Sequence, residues 1–104
     1  MILTNTETVP GRTIVEFYGL ATGNTVRAKH IGRDIMAGLK NLVGGELTGY
    51  SELLQDSRRE ATERMVEQAK SMGANAVVNM RFATSSVAQG AAELFAYGTA
   101  VRVE

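Results

Sequence analysis

SELLQDSRREATERMVEQAKSMG, Ser51 to Gly73, is the one long stretch of the chain whose apolar and small residues return at helical spacing. Tyr50, Leu53, Leu54, Ser57, Ala61, Met65, Ala69 and Met72 step by three and four residues, which places them in one stripe along a helix. The stripe is narrow and rich in small side chains. Opposite it run Arg58, Arg59, Glu60, Glu63, Arg64, Glu67 and Lys70. Glu60 and Arg64 are spaced i,i+4 in the favourable order and Glu67 and Lys70 i,i+3, the pattern of a weakly ion-paired, solvated face. Ser51 reads as the N-cap with Glu52 complementing the helix dipole, and Gly73 as the C′ residue able to take positive φ.

Working outward from this helix, the flanking segments read as strands. Thr13–Ala21, TIVEFYGLA, alternates Val15, Phe17 and Gly19 against Ile14, Glu16, Tyr18 and Leu20, a first main strand. Gly23-Asn24 then reads either as a type II′ turn or as a kink in one longer strand continuing through TVRAK. His30–Leu42 carries Ile31, Ile35, Leu39 and Leu42 at helical steps, a short helix interrupted by Gly38 and ended by Gly44-Gly45. Asn75–Phe82 alternates as a second main strand, with Ala76, Val78, Met80 and Phe82 on one face. A loop, ATSSVAQGAA, separates it from a third at Glu93–Val103. Ile2–Thr6 is a short strand ahead of a Pro10–Gly11 turn, either an edge piece or a contact to a neighbour.

The third strand constrains the architecture most. Phe95, Tyr97, Thr99, Val101 and Val103 line one face, and Leu94, Ala96, Gly98 and Ala100 the other, so neither is polar until Arg102. An antiparallel sheet in a small monomer ordinarily leaves one face solvated. One helix covers one face, so a second cover is required. Another copy of the chain is the expectation, and the short helix around Ile35 is the rival.

Composition narrows the functions. At 104 residues the chain is expected to be a single domain, 1–104, burying about two-thirds of its unfolded surface. Eleven Lys and Arg balance eleven Asp and Glu, so no long-range field draws in nucleic acid or an anionic membrane. There is no cysteine, which removes disulfides, thiolate metal sites and cysteine nucleophiles together. The opening MILTNTETV has neither the basic region nor the apolar run of a signal peptide, and a cytoplasmic protein is expected. Glycine, at 11 residues, exceeds the usual share of about 7% and points to backbone positions that need unusual dihedrals or close approach.

With TIVEFYGLATGNTV, RDIMAGLKNLVGGEL at 33–47, the helix bearing Arg58, Ala61 and Met65, GANAVVNMRF at 73–82 and AYGTAV at 96–101, the chain resembles the YbjQ-like family. These are small bacterial and archaeal proteins of unknown function that often carry a heavy-metal-binding label. The resemblance covers nearly the whole chain. It implies an α+β fold with a dodecin-like β-α-β-β core, an antiparallel sheet packed on one long helix, and extra short strands that assemble subunits into a pentameric ring.

The residues give the metal label little support. Soft metals select thiolate or imidazole clusters, and His30 is the single histidine. Of five methionines, Met65 and Met72 lie on the core stripe at i,i+7 and read as packing. No metal site and no cofactor is expected. Arg33 and Asp34, at the start of the short helix, read as a capping or intersubunit pair, or, with Lys29 or Lys40, as a small-anion receptor. Arg81 and Glu93 are expected to approach one another across the loop between the second and third strands, as a structural pair or as the lining of a polar pocket between subunits. His30 has no triad partners, and the glycine-rich pieces match no phosphate-loop or dinucleotide pattern, so no catalytic residue is named. The leading reading is a homo-oligomeric, pentameric small-ligand-binding or scaffold protein. The alternatives are an enzyme whose site is assembled between subunits from Arg33, Asp34, Arg81 and Glu93, and a metal-binding protein.

Overall fold

A computed structural model describes residues 1–27, 48–88 and 91–104. The described elements are β1 (Ile2–Leu3), β2 (Ile14–Arg27), α1 (Thr48–Ser71), β3 (Ala76–Ala88) and β4 (Ala91–Val103). The strands form one four-stranded sheet in the order β1-β3-β4-β2, with β1 parallel to β3 and the other pairings antiparallel. The fold is α+β, one long helix on one face of a mixed sheet. The segment read as a short helix, His30–Leu42, lies outside the described residues.

Helix α1 buries the stripe its spacing predicts: Ser57, Ala61, Met65 and Ala69 are buried, and Leu53, Leu54 and Met72 half-buried. It starts earlier than expected, at Thr48, so Ser51 sits inside its first turn and is not the N-cap. The turn at the far end follows the sequence. Gly73 has φ 94°, its N–H bonds the Lys70 carbonyl at 3.0 Å, and Ala74 N–H bonds Ala69 at 3.1 Å, the paired bonds of a Schellman motif. On the solvated face Glu60 and Arg64 pair at 2.7 Å, while Glu67 and Lys70 make no ion pair and Asp56–Arg59 forms at 3.3 Å in its place.

Between α1 and the sheet lie Ala21, Ala61, Met65, Ala69, Ala74, Val77, Ala96 and Ala100. Ala21, Gly23, Ala96 and Ala100 on the sheet side are alanine or glycine, which brings the helix backbone down onto the strands. At Gly23 an added Cβ would strike the Ala61 carbonyl oxygen and the Met65 nitrogen. Helix and strand main chains therefore touch there with nothing between them.

The strands are longer than their apolar runs. Gly23-Asn24 is no turn: β2 runs through it, paired to Ala96 and Phe95. The predicted loop at 83–92 is mostly the outer half of a hairpin, with Thr84 opposite Leu94, Ser85 opposite Glu93 and Ser86 opposite Ala92. Strict alternation also fails twice. In β2 the register shifts between Ile14 and Glu16 and again between Phe17 and Gly19, where Gly19 has φ 104°. Phe17 opposite Val101 and Leu20 opposite Thr99 thus share the face away from the helix, against the reading that set them apart. In β3 the shift between Val78 and Arg81, with Asn79 at φ 53°, leaves Val78 on that outer face and turns Met80 toward the helix core.

The outer face has an intrachain cover over one end. The N-terminal segment crosses it, held by Thr4 N–H to Val77 O at 3.0 Å, Met80 N–H to Thr4 O at 3.0 Å and Asn79 N–H to Thr6 O at 2.9 Å. It returns through the predicted Pro10–Gly11 turn, closed by Arg12 N–H to Val9 O at 3.0 Å with Gly11 at φ 78°, as a type II turn requires. Val9 and Ile2 pack there on Ala76, Val78, Val101 and Val103. The described molecule is elongated, with a Cα radius of gyration of 16.8 Å. A compact domain of this length has about 13 Å.

Candidate functional site

Beyond Val9 the outer face carries a different surface. The pairing register sets Arg81, Tyr97 and Thr22 in one row across the strands, Ala83, Phe95 and Asn24 in the next, and Ser85, Glu93 and Val26 in a third. Phe95 and Tyr97 are half-buried neighbours, their ring centroids 5.7 Å apart. Along the β2 side Phe17 and Leu20 stand 75% and 64% exposed. This is an amphipathic platform of aromatic and amide groups with an apolar border.

Two of the four residues singled out from sequence, Arg81 and Glu93, fall on this platform. Arg33 and Asp34 lie outside the described residues, as do Lys29, His30, Met36 and Lys40. Arg81 and Glu93 share a face but do not meet: they are two rows apart, and each is engaged elsewhere. Arg81 Nη1 donates to the Asn5 carbonyl at 2.8 Å and to the Met80 carbonyl at 2.9 Å, tying the N-terminal segment to β3. Glu93 Oε2 accepts from Asn24 Nδ2 at 3.1 Å. The expected Arg81–Glu93 pair fails because the hairpin is longer than the apolar runs suggest, which puts Ser85, not Arg81, opposite Glu93.

What the sequence reading missed is how α1 treats the β2 edge. Gln68 Oε1 accepts the Thr22 main-chain N–H at 2.6 Å, and Arg64, held by Glu60, donates to the Asn24 carbonyl. Helical spacing places Gln68 and Arg64 on the same turn-to-turn row, but only the close helix–strand contact at Gly23 lets them reach round the strand. Glycine within a strand was the available signal.

Concavity is slight on the helix side. A depression of about 320 Å³ is lined by Thr62, Glu63, Val66, Glu67 and Lys70, all from one helix, so no second described element converges on it. Among the described residues no three His, Cys, Asp or Glu side chains come together in a way that could hold a metal ion. No described helix is long and apolar enough to cross a membrane.

Among the described residues, one helix packed against a four-stranded mixed sheet with a partly covered outer face defines a small α+β protein. The profile of a family described as "Putative heavy-metal-binding" matches residues 1–104, and the chain belongs to that family, the YbjQ-like proteins. It is 70% identical over 104 residues to a UPF0145 protein of Hahella chejuensis, covering 100% of both chains. A UPF0145 protein of Archaeoglobus fulgidus is 61% identical over 103 residues, covering 99% of this chain and 95% of that one. Among solved structures, a DUF74-family protein of unknown function from Pediococcus pentosaceus superposes with a TM-score of 0.65 over 100% of this chain and 98% of its own, at 14% identity. That likeness shows the fold alone.

Proposed function

We propose that the chain works as a homo-oligomer, a cytoplasmic pentameric ring that holds a small ligand or a partner at its subunit interfaces or serves as a scaffold. The observation that carries this reading is the outer sheet face, where Phe17 and Leu20 stand 75% and 64% exposed beside the half-buried Phe95 and Tyr97. A cluster of large apolar side chains left in water on one face is the mark of a surface that meets another. Five-fold order comes from the family resemblance, and a rotational assembly supports it by giving every copy the same cover.

The competing readings have less behind them. Arg81 and Glu93 each satisfy a partner within their own subunit, which favours structural roles over an intersubunit active site. The metal label finds no donor cluster among the described residues and no cysteine in the sequence. No step is assigned to a metal.

Native mass spectrometry of the protein purified gently from its own cells tests the proposal. A pentamer carrying an additional mass supports the ligand-holding ring, and a bare pentamer supports the scaffold form. A bare monomer at micromolar concentration overturns both.

A further inference from the structure

The hydrogen-bonding direction of each strand residue follows from one pair. Thr13 and Glu104 exchange both main-chain bonds at 2.9 Å. Antiparallel strands alternate bonded and non-bonded pairs, so the β4 residues 102, 100, 98, 96 and 94 turn their main-chain groups toward β2, and 101, 99, 97, 95 and 93 toward β3. Through the register, Phe17, Leu20, Thr22 and Asn24 of β2 point N–H and C=O away from the sheet. The Gln68 and Arg64 contacts to Thr22 and Asn24 agree with this assignment. On the other side, Val77, Phe82 and Thr84 of β3 point outward, and Val77 is already taken by Thr4.

Each side of the sheet therefore has one closed and one open stretch. On β2, Gln68 and Arg64 close Thr22 and Asn24 and leave Phe17 and Leu20 open. On β3, the N-terminal segment closes the strand up to Met80 and leaves Phe82 and Thr84 open. No described residue bonds the outward main-chain groups of these four. Phe17–Leu20 and Phe82–Thr84 contain no proline and no charged residue, two of the devices that blunt an edge, and the bulge at Gly19 lies within the first stretch. Both carry exposed large apolar side chains, Phe17 and Leu20 on the outer face of β2 and Phe82, 45% exposed, on the helix side of β3.

We propose that the Phe17–Leu20 edge of β2 in one copy adds to the Phe82–Thr84 edge of β3 in the next, continuing the sheet from subunit to subunit. This rests on the oligomeric reading above and specifies its interface. The two open edges lie at opposite ends of the strand order, so the contact is head-to-tail and closes by rotation, not by a two-fold pair. β2 and β3 both run antiparallel to β4, so a copy placed the same way up pairs them in parallel. The side-chain contacts of Gln68 and Arg64 keep the incoming strand off Thr22 and Asn24 and so restrict its register.

The absence of native cysteine makes disulfide trapping a clean test. Four double variants combine Phe17→Cys or Leu20→Cys with Ala83→Cys or Ser85→Cys, all on the face away from the helix, which a parallel continuation of the sheet brings side by side, and the four single variants serve as controls, each checked for native circular dichroism. After mild oxidation and non-reducing denaturing electrophoresis, at least one double variant is expected to give a ladder ending at the ring size, with every single variant at monomer mass. Cross-linked dimers from Leu20→Cys or Phe17→Cys alone would show two-fold β2–β2 pairing and overturn the proposal. No cross-link from any folded double variant, with the unmodified protein a ring by native mass, overturns this edge pairing and leaves the oligomer standing. A monomeric unmodified protein removes both.

Discussion

At Gly23 the absence of a side chain sets the distance between helix and sheet. A Cβ there would overlap main-chain atoms of Ala61 and Met65, which a rotamer change cannot move. Gly73 is different: its φ of 94° is unfavourable for a side chain, but the space is open, with the Tyr18 ring at 3.7 Å the nearest contact. Gly73→Ala is thus expected to cost about 1–2 kcal/mol, the penalty of a left-handed conformation. Gly23→Ala is expected to exceed the roughly 1–3 kcal/mol typical of overpacking, because the helix must lift off the strand along its length. Urea unfolding of the two variants measures the difference. A Gly23→Ala midpoint at or above that of Gly73→Ala would contradict the close approach.

At the scale of elements, the helix was legible in the sequence and the strand ends were not. The stripe from Leu53 to Met72 and the glycine after it repeat a strong period over many residues, and the structure buries those positions. Strand readings failed where pairing, not pattern, decides. At Gly23-Asn24 the sequence leaves a turn and one continuous strand as alternatives, and the β4 partners opposite decide for the strand, while the small polar residues of 83–88, read as a loop, form a strand because 91–95 lie beside them. Alternation counts residues, whereas a bulge changes how many oppose one partner, so Phe17 and Leu20 reach one face only once the shift at Gly19 is known. The contact between α1 and the β2 edge belongs to this scale too. Removing its acceptor in Gln68→Ala leaves the exposed Thr22 N–H to water, a loss of about 0.5–1.5 kcal/mol. Native-state amide exchange is expected to speed up at Thr22 and stay slow at Ala21, whose main chain is directed into the sheet. Equal acceleration at both would mean that Gln68 holds the whole strand and not its edge.

The described molecule is extended for a chain of this length, a radius of gyration of 16.8 Å where about 13 Å is usual for a compact domain. Of the four residues picked out from sequence, only Arg81 and Glu93 fall among the described ones, and local pattern could not show that each is occupied by a different neighbour. What the pattern did carry was the two-sided apolar β4. The N-terminal segment covers Val101 and Val103 within the chain, which leaves the region around Phe95, Phe17 and Leu20 uncovered among the described residues. Burying Phe17 and Leu20 contributes about 1.5–3 kcal/mol each. Association costs on the order of 4–15 kcal/mol, so these two side chains alone do not hold a complex. In the proposed assembly, main-chain bonds along an added strand would supply the remainder, at about 0.5–1.5 kcal/mol each, and closing a ring would add the last interface without a further loss of translational freedom. The assembly is thus expected to be marginal per contact and cooperative as a whole. Replacing both exposed residues, Phe17→Lys with Leu20→Lys, is expected to leave a folded subunit, because neither side chain lies in the helix core, while shifting the sedimentation coefficient from ring to monomer. The unmodified protein should show a Tm that rises with protein concentration, and the double variant one that does not. A double variant that still sediments as the ring would place the interface elsewhere on the molecule.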